Sequence, residues 1–316
     1  MRKLVLATRG SQLALAQAES IAAALRTMHA GLQIELRVIR TTGDRVVDRA
    51  LSKIGDTGLF VREIENALLD RTADLAVHSC KDLESTTPDG LTLAAFPARE
   101  DPRDVLISRH GLRLDQLPPG ARVGTSSLRR RCQILHLRPD TEVIDLRGNV
   151  DTRLKKARSG DYDAIVLAAA GLKRLKLDHV VTQTFDPDEL LPMVGQGALA
   201  IECRADDQAV LELLAPLNDP PTESAVLAER AFLRRLAGGC QVPVAAHATH
   251  DNGRLRLRGL IGTPDGHCIA RGERTGIDPE AVGVELAEAL LQDGGMEIMA
   301  SMSHGVTTRE SPEEAC

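Results

Sequence analysis

The chain has 316 residues, 43% of them hydrophobic and 27% charged, with a formal net charge of −6. Those proportions belong to a soluble globular protein long enough for two or three domains. With no Trp, one Tyr and four Phe, the core must rest on Leu, Val, Ile and Ala, and a base-stacking platform for single-stranded nucleic acid is disfavoured. No run approaches the roughly 18 apolar residues of a membrane span. The opening MRKLVLATRGS has no apolar stretch long enough for a secretory signal, so a cytoplasmic protein without membrane contact is expected.

In chain order, KLVLAT (3–8) reads as a strand and Ser11 to about Met28 as a helix. LQIELRVI (32–39) is a second strand, and LFVREIENALL (59–69) a helix with apolar spacing at Phe60, Ile64 and Leu68. DLAVHS (74–79) and LTLAAF (91–96) complete a first block. The second block runs through DVLIS (104–108), RVGT (122–125), a helix from about Ser127, EVIDL (142–146), a helix from about Asp151, and AIVLAAA (164–170). Strands alternating with helices imply mostly parallel sheets with helices on both faces. ALAIECR (198–204) is again a strand, which suggests that the chain leaves one domain, builds another and returns. APLNDPP (215–221) reads as a linker. A helix over about 223–236, two strands with turns at Asp251-Asn252-Gly253 and Pro264-Asp265-Gly266, and a helix over about 279–292 make a small third block.

We therefore expect domain one at 1–97 with 198–215, domain two at 103–191 and domain three at 221–300. Segments 98–102, 192–197 and 216–220 are the connections, and 301–316 a frayed tail.

Four strand ends carry the chemistry. The first runs into Arg9-Gly10-Ser11, the next into Cys80-Lys81-Asp82, the third into Thr125-Ser126-Ser127-Leu128-Arg129-Arg130, and the fourth into Arg147-Gly148-Asn149 with Asp151 and Arg153 beyond. In open α/β sheets ligands collect at the carboxyl ends of strands, where helix N-termini present free N–H groups to anions. Arginine adds a planar fork suited to carboxylates. Ser11, Ser127 and Asp151 equally suit helix caps. Arg129, Arg130 and Arg131 lie about 100° apart on a helix, so not all three can face one site.

From Arg122 to Lys176 there are thirteen Lys/Arg against six Asp/Glu inside a net-negative chain. That imbalance favours an anionic small molecule over nucleic acid. Asp82 is out of place in such a set. It is either an ion-pair partner of Lys81 or a residue at the start of a helix, or else it stabilises a cation or handles a proton.

The six cysteines (80, 132, 203, 240, 268 and 316) are scattered. With no C-x-x-C pair and no nearby His at ligand spacing, both a disulfide framework and a metal site are disfavoured. Cys240, in LAGGCQVPVA, follows the glycines that end a helix, a place that raises a thiol's pKa and suits a turnover nucleophile poorly. Taken alone, a small buried thiol is the plainest reading.

The segments T-R-G-S-Q-L-A-L, V-H-S-C-K-D, G-T-S-S-L-R-R, D-L-R-G-N-V-D-T-R-L, A-G-L-K-R-L, G-Q-G-A-L-A-I-E-C-R and G-G-C-Q-V-P occur in that order. Together they resemble the porphobilinogen deaminase (hydroxymethylbilane synthase) family, from about Leu4 to the final helix. The resemblance implies an α/β protein with two doubly wound, periplasmic-binding-protein-like domains and a small α/β third domain. It implies a transferase of tetrapyrrole (haem) biosynthesis that condenses four porphobilinogen molecules head to tail, releasing ammonia each time, and then hydrolyses off hydroxymethylbilane.

It also implies one covalent dipyrromethane per chain, anchored as a thioether on Cys240. The group would be held by Lys81, Asp82, Thr125, Ser127, Arg129 and Arg130. Arg9, Ser11, Arg147, Arg153 and Arg174 would hold the substrate and its oligopyrrole intermediates. Asp82 would be catalytic, stabilising the cationic azafulvene left when ammonia departs. No metal, nucleic acid or membrane partner is implied, and a monomer is expected. The sequence departs from the family's pattern at Thr57, where Lys is frequent (Lys53 is retained), and at Glu84, where Pro is frequent.

Overall fold

The computed structural model describes residues 3–42, 61–236 and 242–304; Lys53, Thr57, Cys240 and the expected tail beyond 304 lie outside them. The described residues fall into two compact units. One is drawn from Met1–Pro102, Ala170–Asp178 and Gly195–Ser224, the other from Arg103–Ala169, His179–Val194 and Ala225–Cys316. Within the second unit, the block expected as a third domain keeps a sheet and core of its own.

The first unit is built on strands β1 (Lys3–Arg9), β2 (Gln33–Ile39), β3 (Leu75–Ser79) and β4 (Leu91–Ala95), with β10 (Leu199–Arg204) arriving late in the chain. They form one sheet in the order β2-β1-β3-β10-β4. β10 is buried at all six positions, as its nearly continuous apolar run requires. Helix α1 (Gln12–Met28) buries Ala18, Ile21, Ala22 and Leu25, an i, i+3, i+4, i+7 stripe. That stripe packs with Leu75 and Val77 of β3 on one face of the sheet. Helix α2 (Arg62–Leu69) covers the other face, where Ile64 and Leu68 meet Ala7 and Ala76.

The second unit repeats this topology. Strands β5 (Asp104–Ser108), β6 (Arg122–Gly124), β7 (Glu142–Ile144), β8 (Ala164–Ala168) and β9 (Gln183–Thr184) are ordered β7-β6-β8-β5-β9. In each sheet the first three neighbours are parallel, and a strand entering from elsewhere in the chain pairs antiparallel with both of its neighbours. The sheets are therefore mixed rather than mostly parallel. The entering strands, β10 and β5, come from the other unit's segment of chain and run against the local βαβ direction.

Helix α3 (Leu128–Leu137) follows β6 and α4 (Val150–Ser159) follows β7. AIVLAAA is only partly strand: β8 stops at Ala168 and a short helix α5 (Ala169–Arg174) takes the remaining alanines, which favour helix intrinsically. After α6 (Gln208–Leu214), the segment read as a linker already opens α7 (Pro220–Arg235). Asp219 accepts from Thr222 N at 3.0 Å and from its hydroxyl at 2.6 Å, a cap followed by Pro in the first turn, where Pro is tolerated.

The last part is the antiparallel sheet β11 (Val244–Asp251), β12 (Arg254–Gly262) and β13 (Ile269–Gly276). It is covered by α7 and by α8 (Pro279–Leu290), with Phe232, Leu257 and Leu286 in its core. A Cβ at Gly283 would lie 2.5 Å from the Ala228 carbonyl oxygen, so α8 approaches α7 closely only because this residue is glycine. The chain continues into α9 (Met296–His304). Cys80, Cys132 and Cys203 are free.

Candidate functional site

The shared topology places the expected site residues at equivalent strand ends. In the first unit β1 ends at Arg9, and Ser11 caps α1 by accepting from Ala14 N at 3.2 Å. One turn on, buried Gln17 donates through Nε2 to Ser79 Oγ at 2.9 Å, tying the start of α1 to the end of β3. The chain then turns tightly through Cys80–Asp82. Arg9, Ser11, Gln17, His78, Ser79 and Asp82 line one open pocket.

Asp82 is exposed in this pocket. Its carboxylate makes no hydrogen bond or ion pair among the described residues, so the Lys81–Asp82 pair weighed from sequence is not formed there. Arg174 is not among the residues lining the pocket. Its Nη2 donates to the Gly197 carbonyl at 2.7 Å, and its neighbour Lys173 pairs with Glu100 at 2.7 Å.

His78 and Glu202 were not singled out by sequence. They sit diagonally across the β3–β10 pairing, in which His78 faces Ala200. His78 Nε2 lies 3.0 Å from Glu202 Oε2, and both side chains are buried. Nearby on α2, burial and then the Glu202 charge push the Glu65 carboxyl up to about 7. The available signal was an acid inside an apolar run, ALAIECR, since buried acids need partners.

In the second unit Thr125 N donates to the Ile144 carbonyl at 2.9 Å. Thr125 Oγ1 accepts from Ser127 N at 3.2 Å, and Ser127 Oγ from Arg130 N at 3.5 Å, capping α3. Arg129 and Arg130, both buried, converge on Asp104 at the head of β5. Nη1 of Arg129 is 2.6 Å from Oδ2, and Nη2 and Nε of Arg130 are 2.7 and 3.0 Å from Oδ1. Burial pushes the Asp104 carboxyl up, but the two guanidiniums outweigh it and hold it well below the usual carboxylate range.

Arg129 also donates to Leu191 O, and Arg130 to Val166 O. Arg131 points elsewhere, to Val143 O at 2.9 Å. Two guanidiniums against one carboxylate leave this cluster with an excess positive charge. Asp104 was not foreseen, because its partners are 25 and 26 residues away.

Arg147 and Arg153 are partly exposed around the start of α4. Asn149, not Asp151, is the cap, accepting from Thr152 N at 3.1 Å. Arg153 Nε donates to Gly148 O at 2.7 Å. Among the described residues, no group of His, Cys, Asp and Glu could hold a metal ion, and no helix is long and apolar enough to cross a membrane.

Residues 4–212 match the family profile described as porphobilinogen deaminase, dipyromethane cofactor binding domain, and residues 224–292 match the C-terminal domain of the same family. A porphobilinogen deaminase of Roseiflexus castenholzii is 55% identical over 299 residues, covering 94% of this chain and 98% of the relative. One of Syntrophobacter fumaroxidans is 51% identical over 300 residues, covering 94% and 97%. A solved methionine-binding protein, MetQ, shares 11% identity over 68% of this chain and 89% of its own, with a TM-score of 0.44. On the strength of the two profile matches and the two deaminase relatives, the chain belongs to the porphobilinogen deaminase family.

Proposed function

We propose that this chain condenses four porphobilinogen molecules on a covalently held dipyrromethane primer, releases ammonia at each step, and frees hydroxymethylbilane by hydrolysis. The observation that carries the residue assignment is Asp82. It is a carboxylate without a partner among the described residues, in a pocket that also holds Arg9 and the start of α1. An unpaired acid in a site otherwise suited to anions makes chemical sense when a cation forms there. Departure of ammonia from the aminomethyl group leaves the substrate's pyrrole cationic, and Asp82 faces that charge while Arg9 and Ser11 hold the substrate's own carboxylates.

When bound, the dipyrromethane supplies the nucleophilic pyrrole end to which the first substrate is joined. The residues present fit it: Arg129 keeps a buried Nε with no acceptor among the described residues, and carboxylates are the acceptors a guanidinium fork takes best. Lys81, Thr125, Ser127 and Arg130 are proposed to hold it with Arg129, with Asp82 beside them and Cys240 as the thioether anchor. Arg147 and Arg153 are proposed to hold substrate and growing chain, and Arg174 to support them from the connecting segment. The acting unit is proposed to be a single chain in the cytoplasm.

The test is stoichiometry. Purified chain incubated with porphobilinogen should release four ammonia molecules for each hydroxymethylbilane; binding of porphobilinogen without ammonia release would overturn the assignment.

A further inference from the structure

Joining two pyrroles leaves one proton to be placed. The C–N bond of the incoming aminomethyl group breaks, its electron pair leaving with ammonia, and a C–C bond forms to the α-carbon of the receiving ring. That α-carbon must then give up its hydrogen as a proton, the C–H electron pair returning to the ring. Asp82 is committed to the cation in this scheme, so a second group must take the proton.

His78 lines the same pocket as Asp82. It lies on the sheet face covered by α2, since Val77 packs toward α1 and Ala76 toward α2. Its one hydrogen bond among the described residues is made by Nε2, to Glu202. Nδ1 is left without a partner there. Glu202 is fully buried and its Oε1 has no partner among the described residues, so the imidazole is this carboxylate's hydrogen-bonding partner.

The charged groups around His78 come from several elements. They are Glu202 on β10, Glu65 and Arg62 on α2, Arg9 at the end of β1, and Lys81, Asp82 and Glu84 after β3. An imidazole whose one nitrogen donates to a buried carboxylate is fixed in the tautomer that presents a lone pair on the other. The carboxylate also stabilises the imidazolium that forms on protonation.

We propose that His78, oriented by Glu202, is the proton acceptor for the condensation: its Nδ1 takes the proton lost from the pyrrole α-carbon and passes it on to leave with ammonia as ammonium. This rests on the reading of the Asp82 pocket as the reaction site. Glu65, whose carboxyl is pushed up to about 7 by burial and the Glu202 charge, gives the cluster a second place to hold the proton before it reaches solvent.

The test uses the full chain carrying its dipyrromethane. His78→Gln should keep the same covalent mass addition and bind porphobilinogen with little change in KM, while kcat falls about 10²–10⁴-fold, the usual worth of a positioned base. Porphobilinogen deuterated at its free α-carbon should then show a larger primary isotope effect than with the wild-type protein. A loaded variant with wild-type turnover and an unchanged isotope effect would overturn the proposal.

Glu202→Gln is the second arm: it keeps the size of the buried side chain and removes the charge that holds the imidazole tautomer. The loaded variant should lose kcat with KM little changed and show the same enlarged isotope effect as His78→Gln. A loaded Glu202→Gln chain with wild-type turnover and an unchanged isotope effect counts against the proposal. Wild-type turnover by Asp82→Asn would instead sink the reading of the pocket, and the two failures are therefore told apart.

Discussion

Asp82→Asn is expected to fold, to carry the covalent group and to turn over about 10²–10³-fold more slowly, the range seen when one group aimed at a developing charge is removed. The substitution keeps the size and hydrogen-bonding capacity of the side chain and deletes only its charge. Asp82 makes no structural hydrogen bond or ion pair among the described residues, so the fold loses nothing that would explain a rate defect. KM should change little, because Arg9 and Ser11 remain to hold substrate carboxylates. Steady-state kinetics with mass spectrometry on the same sample check this, and a loaded variant at the wild-type rate would remove Asp82 from the chemistry.

Asp104→Asn should act on the fold instead. It leaves the buried Arg129 and Arg130 guanidiniums without their counter-charge, and breaking a buried pair from one side costs about 3–5 kcal/mol. Urea unfolding should show that loss at neutral pH. The pH dependence has a definite sign. The folded-state pKa of Asp104 lies well below that of an unfolded aspartate, so its contribution is complete above about pH 4 and fades as pH falls toward the folded value. The stability gap between wild type and Asp104→Asn should therefore narrow on acidification below about pH 4. A gap that widens there would contradict the depressed carboxyl.

Local patterns made most of the secondary structure legible. Apolar runs closed by Gly, Ser or Asp locate β1, β3, β5, β10, α1 and α3 within a residue or two, because burial on both faces and capping leave marks in adjacent residues. Non-local features were out of reach. The antiparallel placement of β5 and β10 depends on which strand the returning chain meets, and AIVLAAA offers no breaker to separate β8 from α5. The opening of α7 was hidden because Asp219-Pro220 reads equally as a linker and as a capped helix start.

The same division runs through the site. The strand-end arginines, Ser11, Ser127 and Asp82 could be read from sequence because they follow recognisable strands. Asp104 and His78 could not, because their partners lie 25 to 124 residues away along the chain, and Glu202 left only the mark of an acid inside an apolar run. Ser11 and Ser127 prove to be helix caps, which leaves each hydroxyl hydrogen available for an acceptor.

The central claim is that the chain carries its own dipyrromethane primer on Cys240. Intact mass measurement of the purified protein tests it most directly: the wild-type chain should be heavier than its sequence mass by two linked pyrrole units, and Cys240→Ser should carry no addition. A fully active enzyme at its unmodified sequence mass, or a Cys240→Ser chain that still bears the adduct, would contradict it.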